Sequence, residues 1–296
     1  MSVPTAVVLP GQGSAPRNMG EIVAAEAPDL HELILDEVGE DAFSSTDGSD
    51  RRMQPALVAT VLCGWRRLVA LARDGHVDWG RGPVACAGHS LGDVSALAVA
   101  GVLSEHDAVR VAHERGRIME EHARGRARGA MLALVGAGAH EFAAALGAEG
   151  LVLANDNSPT QVVVSGDVEA IARARAGAAG AGLRTVPLPF TVAGHSPLLA
   201  GAADEFREAL EEFEFAPPRL PVLSSMTARP YVDPQREIAM AIAHPVRWQD
   251  VLHALRGLGA RRFIDTGPGH TMAGLVSKTL SGVETPTVKD LESAHA

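Results

Sequence analysis

A serine between two glycines is the feature of this sequence best suited to chemistry. Ser90 lies in the segment GHSLG (88–92), which fits the pattern G-x-S-x-G and stands between a short apolar run and a stretch with helical spacing. A turn from a strand into a helix would strain the serine backbone, expose the hydroxyl and place a helix N-terminus beside a developing oxyanion. The pattern therefore predicts a nucleophile, and a structural serine at an ordinary turn is the alternative.

A serine hydroxyl needs a base to act as a nucleophile, and the chain has 12 histidines. His195 stands in a predicted loop between a strand and the start of a helix, which makes it the favoured base. His89 is next to Ser90 along the chain, so we expect its side chain to diverge from the hydroxyl. His113 and His122 fall on a predicted helix and are interpreted as solvent-exposed. The pattern alone leaves the choice of base open.

The glycine-rich segment PGQGS (10–14) follows a predicted buried strand, TAVVLP. Because glycine adopts backbone conformations that other residues avoid, the two glycines of this segment are compatible with a tight turn or with a loop that cradles a phosphate. The third glycine that a dinucleotide-binding fingerprint requires is missing, so a Rossmann-type phosphate loop is disfavoured.

The elements that must position these residues alternate between strand and helix. Short apolar runs before Gly11 and before Ser90 are typical of buried strands, and Ser104 is a plausible N-cap with Asp107 three positions later. Residues 40–52 are polar and rich in turn formers, which indicates a loop. The spacing predicts helices over about 18–38, 53–75, 91–101, 104–122, 197–213, 248–259 and 271–281.

The middle of the chain has a separate pattern of predicted strands and helices. Residues 129–190 follow the order βαββαβ, with a turn expected at 157–159, and this order is that of a ferredoxin-like unit. Further α/β pattern flanks it on both sides. We therefore predict an α/β protein in which residues 1–128 and 191–296 form a large catalytic subdomain and residues 129–190 form an inserted small one.

Composition excludes several classes of function. The chain is 46% apolar and 21% charged with a net charge of −10, which argues against a nucleic-acid binder or a protein that docks on anionic membranes. The N-terminus has no signal-peptide pattern, and no run of about 20 uninterrupted apolar residues is present. Cys63 and Cys86 lie in apolar surroundings and are interpreted as reduced thiols. These features favour a cytoplasmic enzyme without a membrane span.

Six short motifs occur in a recognisable order along nearly the whole chain. Their order and spacing resemble those of the malonyl-CoA:acyl carrier protein transacylases and of the acyltransferase domains of polyketide synthases, over roughly residues 5 to 280. The resemblance implies an α/β-hydrolase-like large subdomain that carries a ferredoxin-like small one, in agreement with the segmentation above. The motifs are PGQGS (10–14), GHSLG (88–92), RG (115–116), NDNSP (155–159), GHSPLL (194–199) and DTGPG (265–269).

The resemblance also implies a role for several residues. Ser90 would carry the acyl group as an ester, and His195 would be its general base. The backbone N–H groups of Gln12 and Leu91 would hold the oxyanion. Arg115 would pair with the free carboxylate of a malonyl-type group, so the substrate would be a dicarboxylic thioester.

The implied reaction moves a malonyl-type group from coenzyme A to the phosphopantetheine thiol of an acyl carrier protein, in polyketide or fatty acid biosynthesis. Coenzyme A is then a substrate, and neither a bound cofactor nor a metal is expected. The chain is expected to be a discrete, trans-acting monomer. Three alternatives remain open: the transacylase component of malonate decarboxylase, a serine hydrolase or thioesterase, and a non-catalytic carrier-binding module.

The identity of the acyl group depends on the residues before His195. Val192, Ala193 and Gly194 match the positions that help to select the extender unit in polyketide synthases, and Gln54 matches a further position that lines the site. The sequence AGH is associated in the family with bulkier alkylmalonyl groups such as ethylmalonyl. The alternative is that Gly194 only serves a turn and the substrate is plain malonyl.

Two further features concern the surroundings of the site. The segment HARGRARG contains Arg124, Arg126 and Arg128, which we predict to dock the acidic carrier protein, a solvated basic loop being the alternative. His244 and Arg247 stand where relatives often have Asn or Gln. The resemblance implies that main-chain carbonyls in that region, rather than an acidic side chain, steady the catalytic histidine.

Overall fold

The structure is a computed structural model that describes residues 2–39, 41–43, 49–124, 129–189 and 192–294. Within these ranges the chain forms two four-stranded sheets with helices packed around them. The first sheet is parallel and the second is antiparallel. The α/β class and the combination of a large and a small unit agree with the prediction.

The parallel sheet has the strand order β7-β2-β1-β8. Leu9 pairs with Gly88 at the carboxyl ends of the two central strands, so the turns that follow them leave the same edge of the sheet. These strands are buried on both faces, which explains why they are apolar runs rather than alternating patterns. The strands are β1 (Thr5–Leu9), β2 (Ala85–Gly88), β7 (Val222–Leu223) and β8 (Arg262–Asp265).

Helices cover both faces of this sheet. Val7 points into the larger core, which α1–α5 share, whereas Val8 points into a second core beneath α10 and α11. The helices are α1 (Met19–Glu26), α2 (Pro28–Val38), α3 (Asp50–Arg73), α4 (Gly92–Val99), α5 (Glu105–Ala123), α8 (Ala200–Ala209), α9 (Pro234–Ala241), α10 (Trp248–Gly257), α11 (Thr271–Thr279) and α12 (Val288–Ser293).

The antiparallel sheet has the order β4-β5-β3-β6 and packs two helices on one face. Its core contains Leu132, Val162 and Val164 from the central strands. This arrangement is the ferredoxin-like unit, and the exact limits of the two subdomains stay a prediction. Its elements are β3 (Gly129–Val135), α6 (Ala139–Ala145), β4 (Val152–Ser158), β5 (Gln161–Asp167), α7 (Val168–Gly180) and β6 (Arg184–Pro187).

The two units meet along β4. The backbone N–H of Asp156 donates to the carbonyl of Val246 at 2.8 Å, and the N–H of Val246 donates to Ala154 at 2.9 Å. The Asp156 carboxylate also accepts hydrogen bonds from Gln249 and from His140, the latter at 2.8 Å. The edge of the small sheet is therefore joined to the segment before α10.

Several element boundaries differ from the prediction. The helix expected over 18–38 is two helices, because the chain breaks at Ala27 and Pro28 opens α2. Helix α3 begins at Asp50, so residues 50–52 of the expected loop are helical. The turn expected at 157–159 lies at 159–160, because residues 157 and 158 extend β4.

Two helices were missed, although each has a start signal in the sequence. Asp233 accepts a hydrogen bond from the backbone of Arg236, and Pro234 is the first residue of α9. Thr287 and Asp290 form a reciprocal capping box at the start of α12. Both helices are short, and capping residues rather than hydrophobic periodicity mark their positions.

Helix α3 is the one helix in the described ranges that is long and apolar enough to cross a membrane by length and composition alone. It has 24 residues, and 61% of its most apolar window is buried inside the protein. It packs against α5 and α1, as the core helix of a globular protein does.

Candidate active site

Ser90 occupies the sharp turn between β2 and α4. Its φ angle is 57°, in the left-handed region that residues with side chains rarely adopt. The turn is so tight that a methyl group on Gly88 would lie 1.9 Å from the carbonyl atoms of Gly92. Glycine at these positions therefore permits the close approach that holds Ser90 at the carboxyl edge of the parallel sheet.

His195 faces Ser90 from a segment 105 residues later in the chain. Its Nε2 lies 2.6 Å from the Ser90 Oγ. Its Nδ1 lies 2.8 Å from the carbonyl oxygen of Ala241 and 3.0 Å from that of His244. A carbonyl can only accept, so Nδ1 carries the proton and the lone pair of Nε2 is directed at the serine hydroxyl.

The environment of His195 favours its neutral form. Burial lowers the pKa of His195 to about 4, and the positive charge of Arg115 acts in the same direction. The backbone N–H of His195 donates to the carbonyl of Ile242 at 2.8 Å, so residues 241–244 orient both its ring and its backbone. His244 contributes its backbone carbonyl rather than its imidazole, in agreement with the expectation that main-chain carbonyls steady His195.

The glycine turn after β1 lies directly against the nucleophile turn. Gln12 and the two residues after it form a single 3-10 turn. A methyl group on Gly11 would lie 2.5 Å from the carbonyl oxygen of His89 and 3.7 Å from the backbone nitrogen of Leu91. The backbone segments that carry Gln12 and Leu91, the two expected oxyanion donors, are therefore adjacent.

Arg115 reaches the same cavity from α5 and is 4% exposed. Its Nη1 donates to the Oε1 of Gln54 at 2.7 Å. Burial lowers the pKa of Arg115 to about 10, while the nearby carboxyl groups of Asp50 and Asp93 oppose the shift. The buried guanidinium is therefore charged at neutral pH, and it suits an anionic group.

The cavity between the two units has a volume of about 190 Å³. Its lining combines polar groups with apolar side chains, three of them methionines, which adapt easily to different shapes. Val192 and Gly194 are on this wall. The lining residues include Gly11, Gln12, Gly13, His89, Ser90, Arg115, Met119, Met131, Ala133, Asn155, Asn157, Gln161, Val163, Leu188, Val192, Gly194, His195, Thr271, Met272 and Leu275.

Two residues expected on the wall are not there. Ala193 packs on the first strand of the small sheet, so closely that a methyl group on Gly129 would lie 2.3 Å from its backbone nitrogen. Gln54 is fully buried behind the cavity, where it contacts two lining residues, Arg115 through a hydrogen bond and Met119 at its sulfur. The sequence motif identified the neighbourhood correctly, but it carries no information on which side chains are exposed in the cavity.

The surroundings of the other candidate histidines differ in part from the prediction. The His89 side chain turns away from Ser90, bonding to the Oδ1 of Asn157 at 2.7 Å and packing edge-on against Trp248. His113 was expected in solvent, which is wrong, because it is buried and its pKa is lowered by desolvation. His122 bonds to Glu205 at 2.8 Å and is mostly covered. Both helical histidines face α8 or the core rather than water.

The basic segment after α5 is only partly described. The Arg124 side chain is 69% exposed and donates to Glu120 at 3.0 Å. Arg126 and Arg128 lie outside the described residues, so carrier docking by this segment stays a prediction. The described part of the chain contains no cluster of three His, Cys, Asp or Glu side chains that could hold a metal ion.

A model of one protein family, described as the acyl transferase domain, matches residues 51–294. The chain belongs to the acyl transferase domain family. The match covers most of the chain, including the elements that carry Ser90, Arg115 and His195. The turn that carries Gln12 lies before the matched range.

Individual relatives of this acyl transferase domain agree with the family. The chain is 33% identical over 309 residues to the malonyl CoA-acyl carrier protein transacylase of Escherichia coli (strain K12), covering 98% of this chain and 96% of that protein. It is 34% identical over 285 residues to the polyketide biosynthesis protein ThaF of Burkholderia thailandensis. That match covers 93% of this chain, which spans only 24% of the longer protein.

Solved structures of the same kind have the same fold. An acyl carrier protein S-malonyltransferase from Vibrio cholerae superimposes with a TM-score of 0.83 at 29% identity, covering 98% of this chain and 99% of the other. A malonyl-transacylase in complex with a type II polyketide synthase acyl carrier protein gives 0.85 at 29% identity, covering 98% of each chain. The large unit with its inserted small sheet is thus the common architecture of these enzymes.

Proposed function

We propose that this acyl transferase domain moves a malonyl-type group from coenzyme A, through an ester on Ser90, to the phosphopantetheine thiol of an acyl carrier protein. The observation that carries the proposal is the placement of the Ser90–His195 pair and the buried Arg115 around one cavity. The relatives named above as malonyl transacylases support the same substrate class, and ThaF, named for polyketide biosynthesis, supports that setting.

The first half-reaction forms the acyl-enzyme. Nε2 of His195 accepts the hydroxyl proton as the Ser90 Oγ attacks the thioester carbonyl. The backbone N–H groups of Gln12 and Leu91 bind the oxyanion. When the intermediate collapses, the C–S bond breaks and the imidazolium returns its proton to the sulfur of coenzyme A.

The second half-reaction uses the same groups in reverse. His195 accepts the proton of the carrier thiol, and the sulfur attacks the ester carbonyl. The C–O bond to Ser90 breaks, and the serine oxygen takes the proton back. No water is consumed, coenzyme A is a substrate rather than a bound cofactor, and a single chain carries all of the groups named, which is compatible with a trans-acting monomer.

The test is intact-mass spectrometry of the protein after brief exposure to malonyl-, ethylmalonyl- and acetyl-CoA. We expect one acyl group per chain, lost in Ser90→Ala and released on addition of a carrier thiol. Arg115→Ala is expected to slow acylation by malonyl-CoA by about 100-fold, because a buried charge-assisted pair with the carboxylate is lost, and to leave acetyl-CoA little changed.

The matched control is Arg110→Ala, which removes an arginine of the same helix whose exposed side chain pairs with Glu37. It should leave all of the acylation rates unchanged. Rapid loss of the acyl group to water alone would identify a hydrolase instead. Equal slowing with malonyl- and acetyl-CoA in Arg115→Ala would exclude the proposed role of the guanidinium.

Gly194 bears on which malonyl-type group is used. A methyl group at this position would lie 3.3 Å from the Sδ of Met131, across the cavity wall, so glycine leaves room that any larger residue removes. We include in the proposal that this room admits an alkylmalonyl group such as ethylmalonyl. Gly194→Ala should then lower the ethylmalonyl-to-malonyl rate ratio by about 10-fold, the usual scale for one methylene.

Gly147→Ala is the control for this ratio, because its added methyl group would meet nothing within 4 Å. The measurement is the acylation rate with each thioester in competition. The proposal would be wrong if the wild-type protein strongly prefers malonyl-CoA and Gly194→Ala leaves the rate ratio unchanged. Gly194 would then serve only the turn.

A further inference from the structure

Asp50 is a buried carboxyl group that the two half-reactions do not use. It lies in the first turn of α3 and is 2% exposed. Its Oδ1 accepts a hydrogen bond from the Nε2 of Gln12 at 2.5 Å. Burial raises the pKa of Asp50, and its hydrogen bond from Gln12 and the charge of Arg115 oppose that shift. A carboxyl group taken so completely from water is costly unless its partners compensate it.

The packing of α5 against α3 determines where this carboxyl lies. A methyl group on Gly116 would lie 2.4 Å from the carbonyl oxygen of Asp50, so the two helices touch at this point through their backbones. The Ser49 hydroxyl donates to Glu120 at 2.9 Å, and the backbone N–H of Arg51 donates to the same carboxylate at 3.3 Å. The start of α3 is therefore fixed beside Arg115.

A second amide extends the contact in the other direction. The Gln54 side chain acts to lower the pKa of Asp50, and its Oε1 accepts a hydrogen bond from Arg115 at 2.7 Å. Asp50 thus lies between the turn that carries Gln12 and the side chain that holds Arg115. Gln12 is only partly covered, and its amide has Met53 as its other neighbour, at 3.9 Å from the sulfur.

We propose that Asp50 is a positioning residue that holds the Gln12 turn against the nucleophile turn through the Gln12 side-chain amide. It thereby fixes the backbone N–H that stabilises the oxyanion. The inference rests on the proposed function, since that N–H matters only if Ser90 attacks a carbonyl. Asp50 touches no reacting atom, and its effect is transmitted through one hydrogen bond.

This role differs from that of Arg115 in what it affects. The oxyanion forms with every thioester, so loosening the turn slows acylation by malonyl-CoA and by acetyl-CoA alike. Binding of the ground state depends little on the oxyanion contact, so the loss falls on the rate at saturation rather than on the half-saturating concentration.

The test is a double-mutant cycle on the single-turnover rate of Ser90 acylation. Asp50→Ala and Gln12→Ala are each expected to slow acylation by about 10-fold with both thioesters, a part of the 100-fold or more that follows complete loss of an oxyanion donor. The double variant should be slowed by about 10-fold rather than 100-fold, because both changes break the same bond. Asp74→Ala, which removes an exposed carboxylate that accepts a hydrogen bond from Arg73 at the opposite end of α3, is the control and should leave the rates unchanged.

Multiplicative losses in the double variant, or a folded Asp50→Ala protein with the wild-type rate, would overturn the role of Asp50. If Asp50→Ala does not fold, Asp50→Ser replaces it, since its hydroxyl is too short to reach the Gln12 amide and the same non-additive loss is expected. A wild-type protein that forms no acyl-Ser90 would instead refute the proposed function, so the two failures are distinguishable.

Discussion

Ser90 and His195 are both held in left-handed backbone conformations, with φ angles of 57° and 58°. For residues with side chains this costs on the order of 1 kcal/mol each, and such strain persists only where the surroundings impose it. The sheet edge imposes it on Ser90, and the carbonyls of residues 241–244 impose it on His195. The strain places the hydroxyl and the imidazole within hydrogen-bond distance.

The state of His195 leads to a prediction about pH. Because burial lowers the pKa of His195 to about 4, its neutral form persists well below neutral pH. The rate of acylation by acetyl-CoA, which has no acyl carboxylate to titrate, should not decline through loss of this base between pH 7 and about pH 5. It should fall about tenfold per pH unit below pH 4. Stopped-flow or quenched-flow kinetics measure this.

Circular dichroism at each pH provides the control for folding.

The lowered pKa of His195 also makes the stability depend on pH. Between the ordinary pKa of 6.5 and about 4, the unfolded chain binds a proton at this position that the native protein does not. The contribution of His195 to the free energy of unfolding is therefore complete above pH 6.5 and falls as the pH falls through that window. A rate that declines around pH 6.5 while the fold persists would show an imidazole in contact with water.

At the level of elements, the meeting of β2 and α4 produces the nucleophile turn. Gly88→Ala would place a methyl group 1.9 Å from the carbonyl of Gly92, and the backbone on both sides is packed. We expect the free energy of unfolding to fall by about 3 kcal/mol or more. Urea denaturation measures this, and any folded fraction should acylate slowly because Ser90 is displaced.

Gly180→Ala, at the end of α7, is the matched control because its methyl group would meet nothing within 4 Å. It should be neutral or stabilising by up to about 1 kcal/mol, since alanine is the better helix former. Equal stabilities of the two variants would mean that the turn can open without cost, contrary to the tight packing of β2 on α4.

At the scale of the whole molecule, the cavity exists only because the small sheet is joined to the large unit. Asp156 accepts side-chain hydrogen bonds from Gln249 and His140, next to the backbone bridge with Val246. The three side chains are partly exposed, so the contribution of the side-chain cluster to stability is on the order of 1 kcal/mol. Its effect should be confined to the junction.

Asp156→Ala should therefore increase hydrogen exchange at the backbone amides of Asp156 itself and Val246, because their bridge loses its side-chain support. The amides of Leu132 and Val164 in the core of the small sheet should exchange as before. Hydrogen exchange followed by mass spectrometry measures both regions. Faster exchange throughout the small sheet would show that the cluster stabilises that unit rather than the junction.

Many features of the fold and of the candidate site could be predicted because they depend on residues that are close together in the sequence. The glycines around Ser90 are required by a tight turn, and the alternation of apolar runs identified the small sheet within residues 129–190. Ser104 was recognised as an N-cap, and its side chain accepts the hydrogen bond of Asp107 as expected. Such features depend on neighbours in sequence, so a single chain reveals them.

The burial of helical residues was predicted less well. Helical spacing indicates that His113 and Arg115 lie on one helix. It does not indicate that His113 is buried in the core or that Arg115 lines a cavity. Asp50 stood at the end of an apparent loop, and nothing near it in the sequence indicated a buried partner for Gln12. These outcomes depend on which helix covers which face.

The sequence by itself predicted the α/β class and the tight turn that carries Ser90, and its resemblance to a known family singled out His195 as the expected base and Arg115 as the expected partner of an acyl carboxylate. Only the tertiary structure decided which carbonyls accept from the His195 ring, that Ala193 and Gln54 lie off the cavity wall, and that the buried Asp50 bonds to Gln12. The physical reason is range. Turn geometry and strand patterning are local properties, whereas burial and hydrogen bonding join residues 38 to 105 positions apart, which meet only when the sheets and helices pack.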